Sequence, residues 1–415
     1  MNIVDLVGWG TAGRTGARPA RRPRLGRARD WPGRHPLVVR ALALTLVWEI
    51  VTELVGVAAS LMIPPHTKDV AAFIHPTGAF AHQRIFRFEA VWVRWDGVFY
   101  ATLGTRGYGP HPTNLNAFFP AYPLLVHVLG LALGGRYVLA AVLFNRLLLF
   151  PAVVLFAQLV RRPGGDGRET RLATPLVLMM PGAVFFLGAL TELLFTFAVL
   201  ACLLALRRER YMWAGSACAL ATATRLPGLV LLAAMAVELL VRRRPWRTYG
   251  TLLIGVLGIA AYSAYTAVTE HDAFAFRSAY ANGGWNNQQN TLNVLLGPSR
   301  YLRFAVLDPP YRDYGGVVTA GYLAALALVV VSIAACWRQL PWSHRVFAVG
   351  TAVLPLLSGS MFSYYRYSLV PLLPVMIVAC RWLAVRPTRR DAVLLCLAGL
   401  TFFNVIAFAG SYWVG

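Results

Sequence analysis

One carboxylate stands alone in the most chemically specific stretch of this chain. Residues 94–125 read RWDGVFYATLGTRGYGPHPTNLNAFFPAYPLL, with Asp96 between Trp95 and Gly97. Trp92, Phe99, Tyr100 and Tyr108 are its aromatic neighbours in sequence. Aromatic faces beside a carboxylate suit a sugar, because the rings stack on C–H faces and the carboxylate takes a hydroxyl proton. General-base catalysis of that kind is worth about 10²–10⁴-fold. Gly97 permits a tight turn or the close approach of a ligand. Two plainer readings stand beside this one: the aromatics as an interfacial belt, and Asp96 as the cap of a short helix. The stretch closes on Phe118-Phe119-Pro120-Ala121-Tyr122-Pro123. A second polar run, Asn282-Gly283-Gly284-Trp285-Asn286-Asn287-Gln288-Gln289-Asn290, offers amides and a Trp to a polyhydroxylated acceptor, or is simply a polar loop.

The elements that must position these residues are apolar. Of 415 residues, 58% are hydrophobic and 13% charged, and the mean hydropathy is +0.57. Soluble domains carry about 25% charged residues. With repeated apolar runs near the length of a membrane crossing, the chain reads as an all-α polytopic membrane protein. The net charge of +22 sits in short Arg clusters between apolar runs. That is the pattern of cytoplasmic loops, and it excludes nucleic acid as the partner. The five cysteines lie in apolar runs, with no disulfide or metal spacing. No phosphate-binding loop, dinucleotide fingerprint or metal-ligand cluster is present. No cofactor is expected, and a divalent metal is left open.

Residues 1–36 form a basic tail expected to be disordered and cytoplasmic, and 37–415 a single membrane domain. The first span is 37–63. Residues 64–116 are a large extracytoplasmic loop, and 118–134 a short re-entrant or interfacial helix. If 118–134 crossed, the Arg161–Arg171 loop would fall outside, against the positive-inside bias. The remaining spans are 137–160, 173–189, 190–207, 212–226, 227–242, 248–268, 316–337, 346–362, 367–385 and 391–412, with 269–315 a second outer loop. The bundle has about eleven spans, N-terminus in.

This topology puts Arg146, Glu192, Arg225 and Arg366 in the outer leaflet, level with Asp96. Arg makes planar, charge-assisted contacts to phosphate oxygens, so the set fits a lipid phosphate. Snorkelling is the plainer reading for each Arg alone. Glu49 and Glu53 share one face of the first span, where carboxylates are costly and turn toward a bundle interior or a partner helix.

In this stretch the chain resembles the PIG-V-type mannosyltransferases, membrane enzymes related to the second mannosyltransferase of GPI-anchor assembly. The residues are Trp95-Asp96, Phe99-Tyr100, Gly107-Tyr108, Ala117-Phe118-Phe119-Pro120 and Tyr122-Pro123-Leu124. Thr224-Arg225-Leu226-Pro227-Gly228 is similar to the family's Arg-Ser-Asn-Gly element, with Leu-Pro in place of Ser-Asn. Tyr365-Arg366-Tyr367 with Pro371 and Pro374 also fits. The resemblance implies a GT-C glycosyltransferase bundle. It would move mannose from a polyprenyl phosphate sugar, with inversion, to a lipid, glycan or protein acceptor on the extracytoplasmic side. It implies Asp96 as general base, and the outer-leaflet Arg225, Arg366 and Arg146 are then the candidates to hold the donor phosphate. Trp95, Tyr100, Tyr108, Phe119, Tyr122 and Trp285 would line the sugar or acceptor, and Glu49, Glu53 and Glu192 would be supporting carboxylates. The expected location is a bacterial cytoplasmic membrane with an outward-facing site, or an ER membrane with a lumenal one. The rival reading is a lipid-linked sugar flippase or transporter, which Glu49 and Glu53 fit in part.

Overall fold

The computed structural model describes residues 36–64, 80, 82–108, 114–165, 167–282, 315–358, 363–412 and 414. The basic tail up to residue 35 and Trp285 lie outside the described residues, as does nearly all of the Asn-rich run.

Apolar runs without a water partner satisfy their backbone internally, and the described regular structure is helical throughout. In chain order the main helices begin with α1 (Pro36–Met62), α2 (Asp96–Arg106), α3 (Ala121–Ala132), α4 (Tyr137–Val160) and α5 (Arg168–Leu178). There follow α6 (Glu192–Arg207), α7 (Tyr211–Thr224), α8 (Gly228–Val241), α9 (Gly250–Thr269) and α10 (Ala275–Asn282). The last are α11 (Gly315–Cys336), α12 (Trp342–Val353), α13 (Leu369–Leu383) and α14 (Pro387–Ala409).

Among the described residues, five stretches are long and apolar enough to cross a membrane: Pro36–Met62, Tyr137–Val160, Trp246–Thr269, Ala320–Gln339 and Pro387–Ala409. Arg168–Leu178 with Pro181–Leu187, bent by 62°, makes a sixth if taken as one span. This is an integral, multi-pass, all-α membrane protein. The α3 helix has 12 residues. At 1.5 Å per residue it reaches about 18 Å, short of a hydrocarbon core of about 30 Å.

The helices α6, α7, α8 and α13 run 16, 14, 14 and 15 residues. They are shorter than the spans read from hydropathy because polar residues end them. Helix α6 starts at Glu192, α7 stops before Arg225, and α13 starts beyond the turn Tyr364–Tyr367 that carries Arg366. The sequence reading drew these spans to the limits of the apolar runs. The structure trims them where ionisable side chains gather.

Close helix packing holds this level in place. A Cβ on Gly258 of α9 would lie 2.0 Å from the Ala219 carbonyl oxygen of α7, so only glycine allows the two backbones to meet there. From the same helix, the Tyr262 hydroxyl donates to the Asn116 carbonyl at 2.7 Å, tying the end of the first loop to the bundle.

The bundle's two ends differ chemically. Helices α6, α8 and α13 begin beside Glu192, Arg225 and Arg366, and end at Arg207, Arg242 and Arg381. One end mixes both signs of charge; the other is rich in arginine. The positive-inside rule predicts that the arginine-rich end faces the cytoplasm. In a chain whose native cysteines are replaced, a cysteine at Gly165 should react with an impermeant maleimide only from the cytoplasm. One at His271, beyond the far end of α9, should react only from the opposite face. Labelling of both from the same side contradicts this orientation.

Candidate active site

Asp96 is placed by a backbone meeting. The chain before α2 lies against the turn before α6, with the Ala189 amide donating to the Trp92 carbonyl at 2.8 Å. Buried Asn145 of α4 holds that turn, its side-chain amide donating to the carbonyls of Gly188 and, at 3.0 Å, Leu190. Gly97 lets α2 pass close to it: a Cβ there would lie 3.3 Å from the Ala189 carbonyl oxygen. Trp95 adopts φ 46°, ψ −116°, a strained backbone for a bulky side chain. Such a conformation costs about 1–3 kcal/mol and persists only where the surroundings over-determine it. Here the Trp95 ring stands edge-on to Phe408 of α14, with centroids 4.9 Å apart, and Phe408 also stacks on Trp92 at 5.9 Å.

The sharp bend at Trp95 makes Asp96 the first residue of α2. A carboxylate in the first turn is favoured by the helix dipole. Its Oδ2 accepts from Arg366 Nη1 at 2.6 Å. The Asp96 carboxylate therefore reaches out of its own helix to another element, more than the local cap allowed for by the sequence.

Arg366 continues the network. Its Nε donates to Glu192 Oε1 at 2.5 Å, and Arg225 Nη1 donates to the same oxygen at 2.5 Å. Four separate elements thus contribute Asp96, Glu192, Arg225 and Arg366, with two charges of each sign. Arg366 and Glu192 are buried, with side chains 3% and 2% exposed. Asp96 is 23% exposed and Arg225 16%, so the outer members face accessible space. Within this network, two buried atoms have no hydrogen-bond partner among the described residues: Arg366 Nη2 and Glu192 Oε2. Arg366 is anchored through its neighbours. The Tyr364 hydroxyl donates to the Ala352 carbonyl of α12 at 3.0 Å, and Asn404 of α14 donates to the Tyr365 hydroxyl at 2.5 Å. Its guanidinium lies 5.6 Å from the Phe185 ring centroid, and that of Arg225 lies 5.4 Å from Tyr367's.

The other sequence candidates fall elsewhere. Arg146 belongs to a second network, its Nη2 donating to Glu53 Oε2 at 2.6 Å. The Trp92 indole donates to the same oxygen at 2.7 Å, and the Arg146 guanidinium lies 4.8 Å from the Trp92 ring. Glu49, one turn earlier on α1, keeps a buried oxygen without a partner among the described residues. Tyr100, Phe119 and Tyr122 are buried. Tyr100 packs edge-on against Phe118 and Tyr122, and its hydroxyl lies 3.2 Å from Thr191 Oγ1, next to Glu192. The Tyr122 hydroxyl donates to the Ala141 carbonyl at 2.9 Å. Phe119 packs on Tyr262 and Phe276. These rings form the bed beneath α2. Trp95 and Tyr108 keep partly open faces, although the Tyr108 hydroxyl donates to the Phe118 carbonyl at 2.6 Å.

Sequence reasoning missed Asn145, Phe185 and Tyr280. A lone amide inside an apolar run was the available signal for Asn145. Tyr280 of α10 lies within electrostatic range of Asp96, Arg225 and Arg366, and burial pushes its phenol above the ordinary tyrosine range. Among the described residues, no three His, Cys, Asp or Glu side chains are grouped to hold a metal ion.

No protein-family model matches the chain, and no curated protein does. Among solved structures, the Archaeoglobus fulgidus oligosaccharyltransferase in complex with zinc and sulfate is similar at TM-score 0.40 and 13% identity, over 88% of this chain and 53% of that one. The form tethered to an acceptor peptide containing the NVT sequon gives 0.37 and 12%, over 88% and 55%. The chain thus spans about half the length of these structures. Likeness this shallow carries no weight for activity.

The network makes two substitutions diverge. Removing one partner of a buried ion pair costs about 3–5 kcal/mol. Glu192→Gln weakens the hold on both arginines and should lower the unfolding temperature sharply. Asp96→Asn affects a partly exposed pair, leaves Arg366 its second carboxylate, and should cost about 1 kcal/mol or less. Thermal unfolding of the two variants in detergent compares them; equal losses contradict the hierarchy.

Proposed function

We propose that this chain is an integral membrane glycosyltransferase of GT-C type that moves a sugar from a polyprenyl phosphate to an acceptor hydroxyl. The observation that carries the reading is the pairing of accessible Asp96 with buried Arg366, whose Nη2 has no hydrogen-bond partner among the described residues. A base for a hydroxyl and donors for a phosphate lie within one side chain's length of each other. The order of Trp95-Asp96, Gly107-Tyr108 and Phe118-Phe119-Pro120 supports a mannosyl donor and inversion at the anomeric carbon.

In the proposed step, the acceptor hydroxyl gives its proton to Asp96, and its oxygen forms a bond to the anomeric carbon. The bond from that carbon to the phosphate oxygen breaks, and polyprenyl phosphate leaves with the electron pair. Phosphate is an adequate leaving group, so the protein's task is alignment and charge stabilisation. Arg225 and Arg366 take the charge that develops on the phosphate. Glu192 keeps both guanidinium groups in place before the donor arrives, so no reorganisation is needed during reaction. Trp95 and Tyr108 offer their partly open faces to the sugar or acceptor. The acceptor is a lipid, glycan or protein on the extracytoplasmic face. Arg146, Glu49 and Glu53 take a supporting place, because Arg146 pairs with Glu53 on α1 and not, among the described residues, with a member of the Asp96–Glu192 network.

Purified protein in lipid, given radiolabelled polyprenyl-phosphate mannose and a membrane lipid extract, tests the reading. Asp96→Asn should lower transfer by about 10²–10⁴-fold while the chain still folds. Arg225→Ala and Arg366→Lys should weaken donor binding about tenfold or more, the second because lysine keeps the charge and loses the fork. Undiminished transfer by Asp96→Asn removes Asp96 from the chemistry. Unchanged donor affinity in both arginine variants removes the phosphate site.

A further inference from the structure

At the end of the bundle opposite Asp96 lies a second polar cavity, of about 270 Å³. Helix α6 runs from Glu192 at one site to Arg207 at the other. At 1.5 Å per residue the two sites are roughly 20 Å apart. This cavity is lined by Arg161, Arg162, Arg207, Arg242 and Arg381, against Glu238 as its one carboxylate.

Two features distinguish it from a set of topology-fixing arginines pointing into solvent. First, its cations are held in place. Arg207 donates from Nη1 to the Gln158 and Leu159 carbonyls at 3.1 and 2.8 Å, and from Nη2 to the Arg161 carbonyl at 2.7 Å. Arg381 donates from Nε to the Val160 carbonyl at 3.3 Å. These neutral acceptors at the C-terminus of α4 orient the guanidinium groups without cancelling their charge. Glu238, by contrast, is engaged by Arg242 Nε at 2.6 Å. Second, Pro341, Ser343 and His344 line the same cavity. They lie at the start of the 12-residue helix α12, where free backbone N–H groups and the helix dipole also favour an anion.

We infer that this cavity is a binding site for a phosphate-bearing ligand, separate from the Asp96 site. Converging guanidinium forks recognise the tetrahedral, multiply accepting oxygens of a phosphate ester. The volume fits a head group or small phosphorylated anion; a nucleotide-sized ligand would need more room. Apolar Leu203, Leu206 and Ile377 complete part of the lining, and the phosphate group these cations recognise is common to a lipid head group and a small soluble anion.

The test uses the full-length protein in phosphatidylcholine nanodiscs, with dioctanoyl phosphatidic acid in one arm and inorganic pyrophosphate in the other. Binding is measured by isothermal titration. Wild type should bind at least one probe. Binding of phosphatidic acid alone identifies a lipid head group, and binding of pyrophosphate alone a soluble phosphate. The double variant R162Q/R381Q should bind about tenfold or more weakly, since charge-assisted contacts of this kind are each worth roughly a factor of ten. Glu238→Gln removes the opposing carboxylate and should bind more tightly, so the inference stays testable if the double variant misfolds. Arg225→Ala, at the far end, should leave this component of binding unchanged. No binding by wild type overturns the inference. So does affinity unaltered in both R162Q/R381Q and Glu238→Gln, or binding lost in Arg225→Ala alone. The readout is binding, so its failure and a failure of the Asp96 transfer assay are told apart.

Discussion

One carboxylate oxygen, Oε1 of Glu192, holds two guanidinium groups at one end of the bundle. An unpaired charge in a membrane helix costs about 2.5–3.5 kcal/mol even on the mildest scale. Buried Arg366 and half-buried Arg225 are therefore tolerable only beside matching carboxylates, and Glu192 is the one they share. Asp96 completes the balance at the open edge. The backbone around the site is arranged to keep this set together. Asn145 fixes the turn before Glu192, the strained Trp95 aims α2, and Tyr364 and Asn404 anchor the turn that carries Arg366.

Helix length follows from that constraint. Helices α6, α7, α8 and α13 end at the polar network, so each is shorter than a full crossing. The membrane-facing scaffold is left to α1, α4, α9, α11 and α14, the helices with the long apolar stretches. Exposed Leu46, Val47, Ile50 and Leu54 on α1 form an outer surface of the kind lipid covers. The short helices surround a recessed polar site at one end and an arginine-lined cavity at the other. A bundle of this form presents ionisable groups to both membrane faces while its middle stays apolar.

Much of this was legible in the chain. Asp96 stood out as a lone carboxylate among aromatics, and the positive-inside pattern put Glu192, Arg225 and Arg366 on its level. The pairing was not legible. Arg366 meets residues 270 and 174 positions away, and which arginine meets which acid is decided by helix rotation that hydropathy does not report. Arg146 illustrates this. It shares the leaflet of the others, yet its face of α4 turns it to Glu53 on α1. The aromatics illustrate a second limit, because sequence does not distinguish a ring packed in a core from one open to a ligand. Tyr122 and Phe119 are buried, while Trp95 is partly open. Asn145 and Tyr280 left no periodic signal. Asn145 acts through two contacts to one turn, and Tyr280 through position alone.

The proposed lipid-phosphate site is formed by the Glu192-linked arginines and Asp96. A cryo-EM structure of the protein in nanodiscs with polyprenyl phosphate tests it directly. The phosphate oxygens should lie within about 3 Å of the Arg366 and Arg225 guanidinium nitrogens, with Asp96 facing the open side where a sugar and its acceptor would meet. A phosphate bound instead beside Arg146 and Glu53, with the Asp96–Arg366 pair undisturbed and its surroundings empty, would contradict it.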